Sequence, residues 1–177
     1  MSEMPAEQTV VESDQVGIGS ADLNWQLPNA DSIATDALQG ALLDTAARTG
    51  LDHQAVLEQL HRGDELVLSR YHYGIARHVA EFLGTMDTSI RAVYQTDYDA
   101  TPGDVCFCAS GPDHCVHLIV WAQRRTQAFS VLAAAVDRAL TRRYVDAVGC
   151  PHLLSLLDVQ VVDDAEVEGR TGIGAML

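Results

Sequence analysis

The chain contains no lysine: all eleven of its basic residues are arginines, set against 25 Asp and Glu in 177 residues, for a formal net charge of −14. Without lysine there is no lysine Schiff base, no P-loop lysine and no kinase lysine, so several large enzyme families are excluded at once. The shortage of positive charge disfavours binding to nucleic acid, which needs clustered cations against phosphate, and disfavours anionic membrane surfaces for the same reason. Long apolar runs are missing too. The longest, Ala128 to Val136, is interrupted by Ser130 and closed by Asp137 and Arg138, far short of the roughly 20 residues a membrane helix requires. The first twelve residues carry Glu3, Glu7 and Glu12 and no base, the reverse of a secretory signal, so a cytoplasmic protein is expected. The acid-rich, lysine-free composition fits either a GC-rich genome or adaptation to high salt.

What is present suits one domain with a substantial core, since 47% of the residues are hydrophobic. Residues 1–30 hold five acids, no base and two prolines, and are read as a disordered acidic tail. Within that tail Leu23, Trp25 and Leu27 form a short apolar patch suited to anchoring on another surface, with a partner-binding role expected for Trp25. Packing of the patch onto its own domain is an equal alternative.

Residues 31–84 read as a helical extension. Asp31 or Ser32 is the expected first N-cap, Gly40 an expected break, and Gly50 the end of that helix. Asp52 caps the next, with Leu51 and Val56 as a hydrophobic staple and Gly63 as its stop. Asp64 opens a third helix in which Leu68, Tyr71, Ile75, Val79 and Phe82 share one face and Arg77 pairs with Glu81, up to Gly84. From residue 85 to 177 a small α/β domain with a flexible C-terminal end is expected. Its strands are Ile90 to Gln95, Val105 to Cys108, Cys115 to Ala122 and Leu156 to Val162, with a long helix at 126–147 that Pro151 cannot continue. The fold class is thus α/β or α+β: a mixed sheet of about four strands, including a hairpin, packed against a long helix.

The chemistry-bearing feature is the run from Cys106 to His117. If residues 111–114 form a hairpin loop, Cys108 faces His117 and Cys106 faces Ile119, and Cys106, Cys108, Cys115 and His117 project from one face. Three thiolates and an imidazole suit tetrahedral zinc, and the thiolates with Cys150 suit an iron–sulfur cluster; His114 and His152 are alternates. The Cys-x-Cys spacing differs from the usual Cys-x2-Cys knuckle, so cysteines acting as small hydrophobes beside Ile119 and Trp121 are the preferred alternative. Asp97, Asp99 and Asp104 form an acidic loop just before the cysteines. Leu42 to Leu60 has the glycine and apolar spacing of a helix-turn-helix, but residues 31–62 carry five acids against two arginines, which favours a plain helix pair over a DNA reader.

These features favour a non-catalytic accessory, scaffolding or assembly subunit that binds protein partners, with oligomerisation and metal binding through the Cys/His hairpin as further expectations. A metal- or thiol-dependent enzyme built on Cys106 to His117 is the second reading, and a helix-turn-helix-like regulator the third.

Overall fold

The computed structural model describes residues 29–96, 115–124, 126–168 and 175–177. The expected tail patch at Leu23, Trp25 and Leu27 and the acidic loop lie outside them, as do Cys106, Cys108 and His114. The described elements, in order, are helix α1 (Ala30–Thr49), α2 (His53–His61), α3 (Glu65–Met86), strand β1 (Ile90–Thr96), β2 (Val116–Ala122), helix α4 (Gln127–Val148), strand β3 (Leu157–Val162), helix α5 (Asp164–Glu168) and strand β4 (Ala175–Met176). This is a mixed α+β arrangement with sheet order β3-β2-β1-β4. β1 and β2 are antiparallel, β2 and β3 parallel, and the two-residue β4 edges β1 at Tyr94 and Gln95.

The helix ends follow the capping chemistry written into the chain. Asp52 accepts the Ala55 amide at 2.8 Å, Asp64 accepts the Val67 amide at 2.9 Å and Thr126 accepts the Phe129 amide at 3.2 Å. Each satisfies an amide that the first turn leaves without a helical partner. Gly50 and Gly149 close α1 and α4 in the left-handed conformation, at φ 72° and 79°. Three expectations at helix boundaries are corrected. The first cap is Asn29, whose side chain accepts from the Asp31 amide, rather than Asp31 or Ser32. α3 runs past Gly84 to Met86. α1 is unbroken at Gly40, because that glycine is where the ring of His78 on α3 packs against α1; it serves close helix approach and not chain reversal.

α3 lies against β1 and β2, α4 against β3, and α1 sits on the far side of α3 and α4. A helix with neighbours on two sides buries more than one stripe, which is why Ile33, Ala34, Ala37, Leu38, Ala41 and Ala46 are all covered. The core is one continuous cluster in which Tyr71, Ile75 and Leu83 of α3 join Val116, Leu118 and Val120 of β2 and Val136, Leu140 and Tyr144 of α4. Parallel strands need a crossover, and α4 supplies it between β2 and β3. Asp137 on α4 pins the far end: its Oδ1 accepts the amides of Leu156 at 3.0 Å and Leu157 at 2.8 Å, and its Oδ2 accepts the Ser155 hydroxyl at 3.0 Å. The start of β3 is therefore fixed to the helix that precedes it.

Candidate functional site

Both edges of β2 are occupied, and this decides where the expected cysteine hairpin stands. His117 is opposite Thr96 on β1 and Asp158 on β3, and Ile119 is opposite Tyr94 and Gln160. A sheet strand has two hydrogen-bonding edges only, so the expected pairing of His117 with Cys108 and of Ile119 with Cys106 is displaced by β1 and β3. The antiparallel pair containing β2 is formed with β1 instead.

Alternation along β2 sends Val116, Leu118 and Val120 into the helix-covered core and His117, Ile119 and Trp121 to the opposite face. There the imidazole Nδ1 of His117 is 3.1 Å from Oδ2 of Asp158, a hydrogen bond across the parallel strands. The histidine side chain is 13% exposed and the carboxylate 54%. Further along the same face the Trp121 indole donates to Asp164 at 2.7 Å, and the Arg91 guanidinium lies 5.5 Å from the Trp121 ring centroid and 3.3 Å from Asp164. Asp158 was invisible to motif reading because it is 41 positions from His117; only the parallel register brings the two together.

Cys115, just before β2, is buried and disulfide-bonded, and its partner lies outside the described residues. A disulfide sulfur is not a thiolate, so the expected ligand set requires Cys115 in its reduced form. Cys150 stands outside any disulfide, half-buried at the end of α4, and burial pushes its thiol up. His152 is exposed on the following turn. Among the described residues no group of three or more His, Cys, Asp and Glu side chains is arranged to hold a metal ion.

A second, apolar feature lies where α1 meets α2. A shallow depression of about 750 Å³ is lined by Leu43, Ala46, Ala47, Gly50 and Leu51, with Asp52, His53 and Gln54 at its polar side. Leu43 stands 56% exposed at this place. The helix pair read from Leu42 to Leu60 is thus present, with Gly50 as the reversal, and its outer side offers an apolar surface. Arg48 lies over the ring of Tyr73 at 5.2 Å, and Arg70 donates to the Arg48 carbonyl at 2.7 Å. Neither guanidinium meets a carboxylate among the described residues.

A further titratable cluster among the described residues is internal. His72 Nε2 and the Tyr144 hydroxyl are 2.9 Å apart, and Tyr71 stacks on Tyr144 with ring centroids 6.1 Å apart. Burial raises both phenols well above their ordinary value, so they remain neutral hydrogen-bonding groups of the core.

Comparison with family models, with curated proteins and with solved structures finds no match to this chain. No helix among the described residues is long and apolar enough to cross a membrane.

Proposed function

We propose that this chain is a non-catalytic accessory or assembly subunit of the cytoplasm that works by binding protein, and that the α1–α2 depression is its contact surface. The observation that carries this reading is Leu43, a large apolar side chain 56% exposed beside an apolar hollow. Burying such a side chain against a partner is worth about 1.5–3 kcal/mol, comparable to a modest interface hot spot. The hollow is too open to enclose a small molecule, which ordinarily loses most of its surface to a pocket. The test is site-specific photo-cross-linking in the host cell, with a photoreactive phenylalanine analogue in place of Leu43 or, as control, of the exposed Arg138. Protein adducts at 43 and none at 138 support the reading. No adduct at either position rejects it.

A thiol-dependent activity is the second reading, favoured by the placement of Cys115 two residues from an aspartate-held histidine. In a reducing compartment a disulfide is typically transient, catalytic or redox-sensing. A dithiol donor would deliver two electrons and two protons to it, leaving Cys115 and its partner as thiols. An imidazole fixed through Nδ1 by Asp158 then offers Nε2 as a proton acceptor for the Cys115 thiol. In reduced protein carrying Cys150→Ser, His117→Ala is expected to slow alkylation of Cys115 by roughly tenfold or more, within the usual range for an assisting base. Equal rates dismiss this reading, and metal content of the same reduced, chelator-free protein tests the zinc alternative.

A further inference from the structure

We infer that the flank of α3 beside the end of α1 is a second contact surface, and that it takes an acidic segment of a partner protein in which carboxylates stand next to an apolar side chain. The inference extends the partner-binding reading to a face whose residues are not among those lining the α1–α2 depression, and it states the chemistry the partner must bring.

The composition of the flank is the first support. Leu66, Arg70 and Tyr73 fall at i, i+4 and i+7 on α3 and so share one stripe. Leu66 is 60% exposed, and covering it removes apolar area from water. Arg48 of α1 completes the patch, its guanidinium 5.2 Å from the centroid of the Tyr73 ring. Tyrosine and arginine are the residue types that, with tryptophan, carry most of the binding energy at protein interfaces.

The sign of the charge is the second support. In a chain with 25 acids against 11 arginines, a guanidinium without a carboxylate is the exception. Asp44, one turn before Arg48, is taken by Arg77 at 2.7 Å and His78 at 3.1 Å, and Glu81 lies 3.7 Å from Arg77. Arg48 and Arg70 meet no carboxylate among the described residues. Arg70 gives one N–H to the Arg48 carbonyl at 2.7 Å, a group that the end of α1 leaves without a helical partner. That bond and the stacking on Tyr73 place both guanidinium groups in advance, and their remaining N–H donors suit the planar fork of a carboxylate. At physiological salt charge effects are confined to about 8 Å, so Arg48 and Arg70 set the sign at this contact. A whole second copy fits less well, because it brings a further −14.

The experiment places a photoreactive phenylalanine analogue at Leu66 of the full chain in the host cell and sequences the cross-linked segment by mass spectrometry. Adducts are expected on segments of another protein that are rich in Asp and Glu. Arg48→Glu should cut their yield roughly tenfold or more, as a like charge at a contact does, while Arg138→Glu leaves it unchanged and all variants keep the same circular dichroism. A synthetic peptide copying the captured segment should bind the purified chain more weakly as salt rises. Exchanging its acids for arginine should restore binding to Arg48→Glu. Leu66→Glu should also weaken the peptide, and an acid in the first turn of α3 favours the helix, so its fold is retained. Adducts on segments without carboxylates, adducts indifferent to Arg48→Glu, adducts to the same chain or a second copy, or none at position 66 each overturn the inference. If position 43 still forms protein adducts, the partner-binding reading stands without it. No adduct at either position removes both.

Discussion

The ring of His78 occupies the space that a side chain at Gly40 would need, and it is held there by Asp44 at 3.1 Å on α1 and Glu81 at 3.5 Å on α3. One turn earlier on α3, Gly74 meets the backbone of Ala41: a methyl group there would lie 2.8 Å from the Ala41 Cα. The α1–α3 contact is thus set by two glycines, and the two respond differently to substitution. Gly74→Ala forces backbone apart and is expected to destabilise by about 1–3 kcal/mol. Gly40→Ala is expected to do less, since the imidazole can swing away at the expense of its carboxylate contacts. Gly84→Ala meets nothing within 4 Å and should stabilise by about 0.5–1 kcal/mol through helix propensity. Urea denaturation of the three variants checks the order.

Asp137 is expected to be the most sensitive polar position in the βαβ unit. Asp137→Ala leaves the Leu157 amide without its acceptor and removes one acceptor each from the Ser155 hydroxyl, which keeps the Leu157 carbonyl at 3.1 Å, and from the Leu156 amide. Thr141 Oγ1 still accepts Leu156 at 2.9 Å. The expected loss is about 2 kcal/mol or more, with faster hydrogen exchange at Leu157. Asp137→Asn keeps one carbonyl acceptor and should lose about half as much.

Tyr71 and Tyr144 make stability pH-dependent at the alkaline end. Their folded phenols are held above the ordinary value of 10.0 by burial, with Cys150 and Tyr71 adding to the effect at Tyr144. A raised folded pKa means that the folded chain binds more protons than the unfolded chain once pH exceeds 10, so their contribution is complete below pH 10 and is lost as pH rises beyond it. Phenolate absorbance should therefore appear for these two tyrosines only together with unfolding. Tyr144→Phe should flatten the alkaline limb and cost about 1 kcal/mol at neutral pH through the lost bond to His72.

The helix starts at Asp52 and Asp64 and the stops at Gly50 and Gly63 were legible because their effects are local, within three or four positions of the chain. So were the strands at 90, 116 and 157, from their alternation and the glycine, proline and aspartate around them. Pairing was not legible. Nearness in sequence suggested that Cys106 and Cys108 flank β2, whereas β1 and β3 do, and β3 reaches β2 through the α4 crossover, a choice of partner that hydrophobic period alone does not encode. The same blindness hid Asp158 from the histidine it orients. Gly40 misled for a related reason: a glycine inside a helical pattern reads as a breaker until the neighbouring helix that needs its bareness is in place. The exposed Leu43 was indistinguishable from the half-buried Leu42 by spacing alone, and only the packing of α1 against α3 and α4 separates them.

The measurement that tests the central claim most directly is photo-cross-linking from position 43 in the intact chain, with Arg138 as the control position. The account predicts protein adducts at 43 alone. Absence of any protein adduct at 43, with the photoreactive chain folded and abundant, would contradict it.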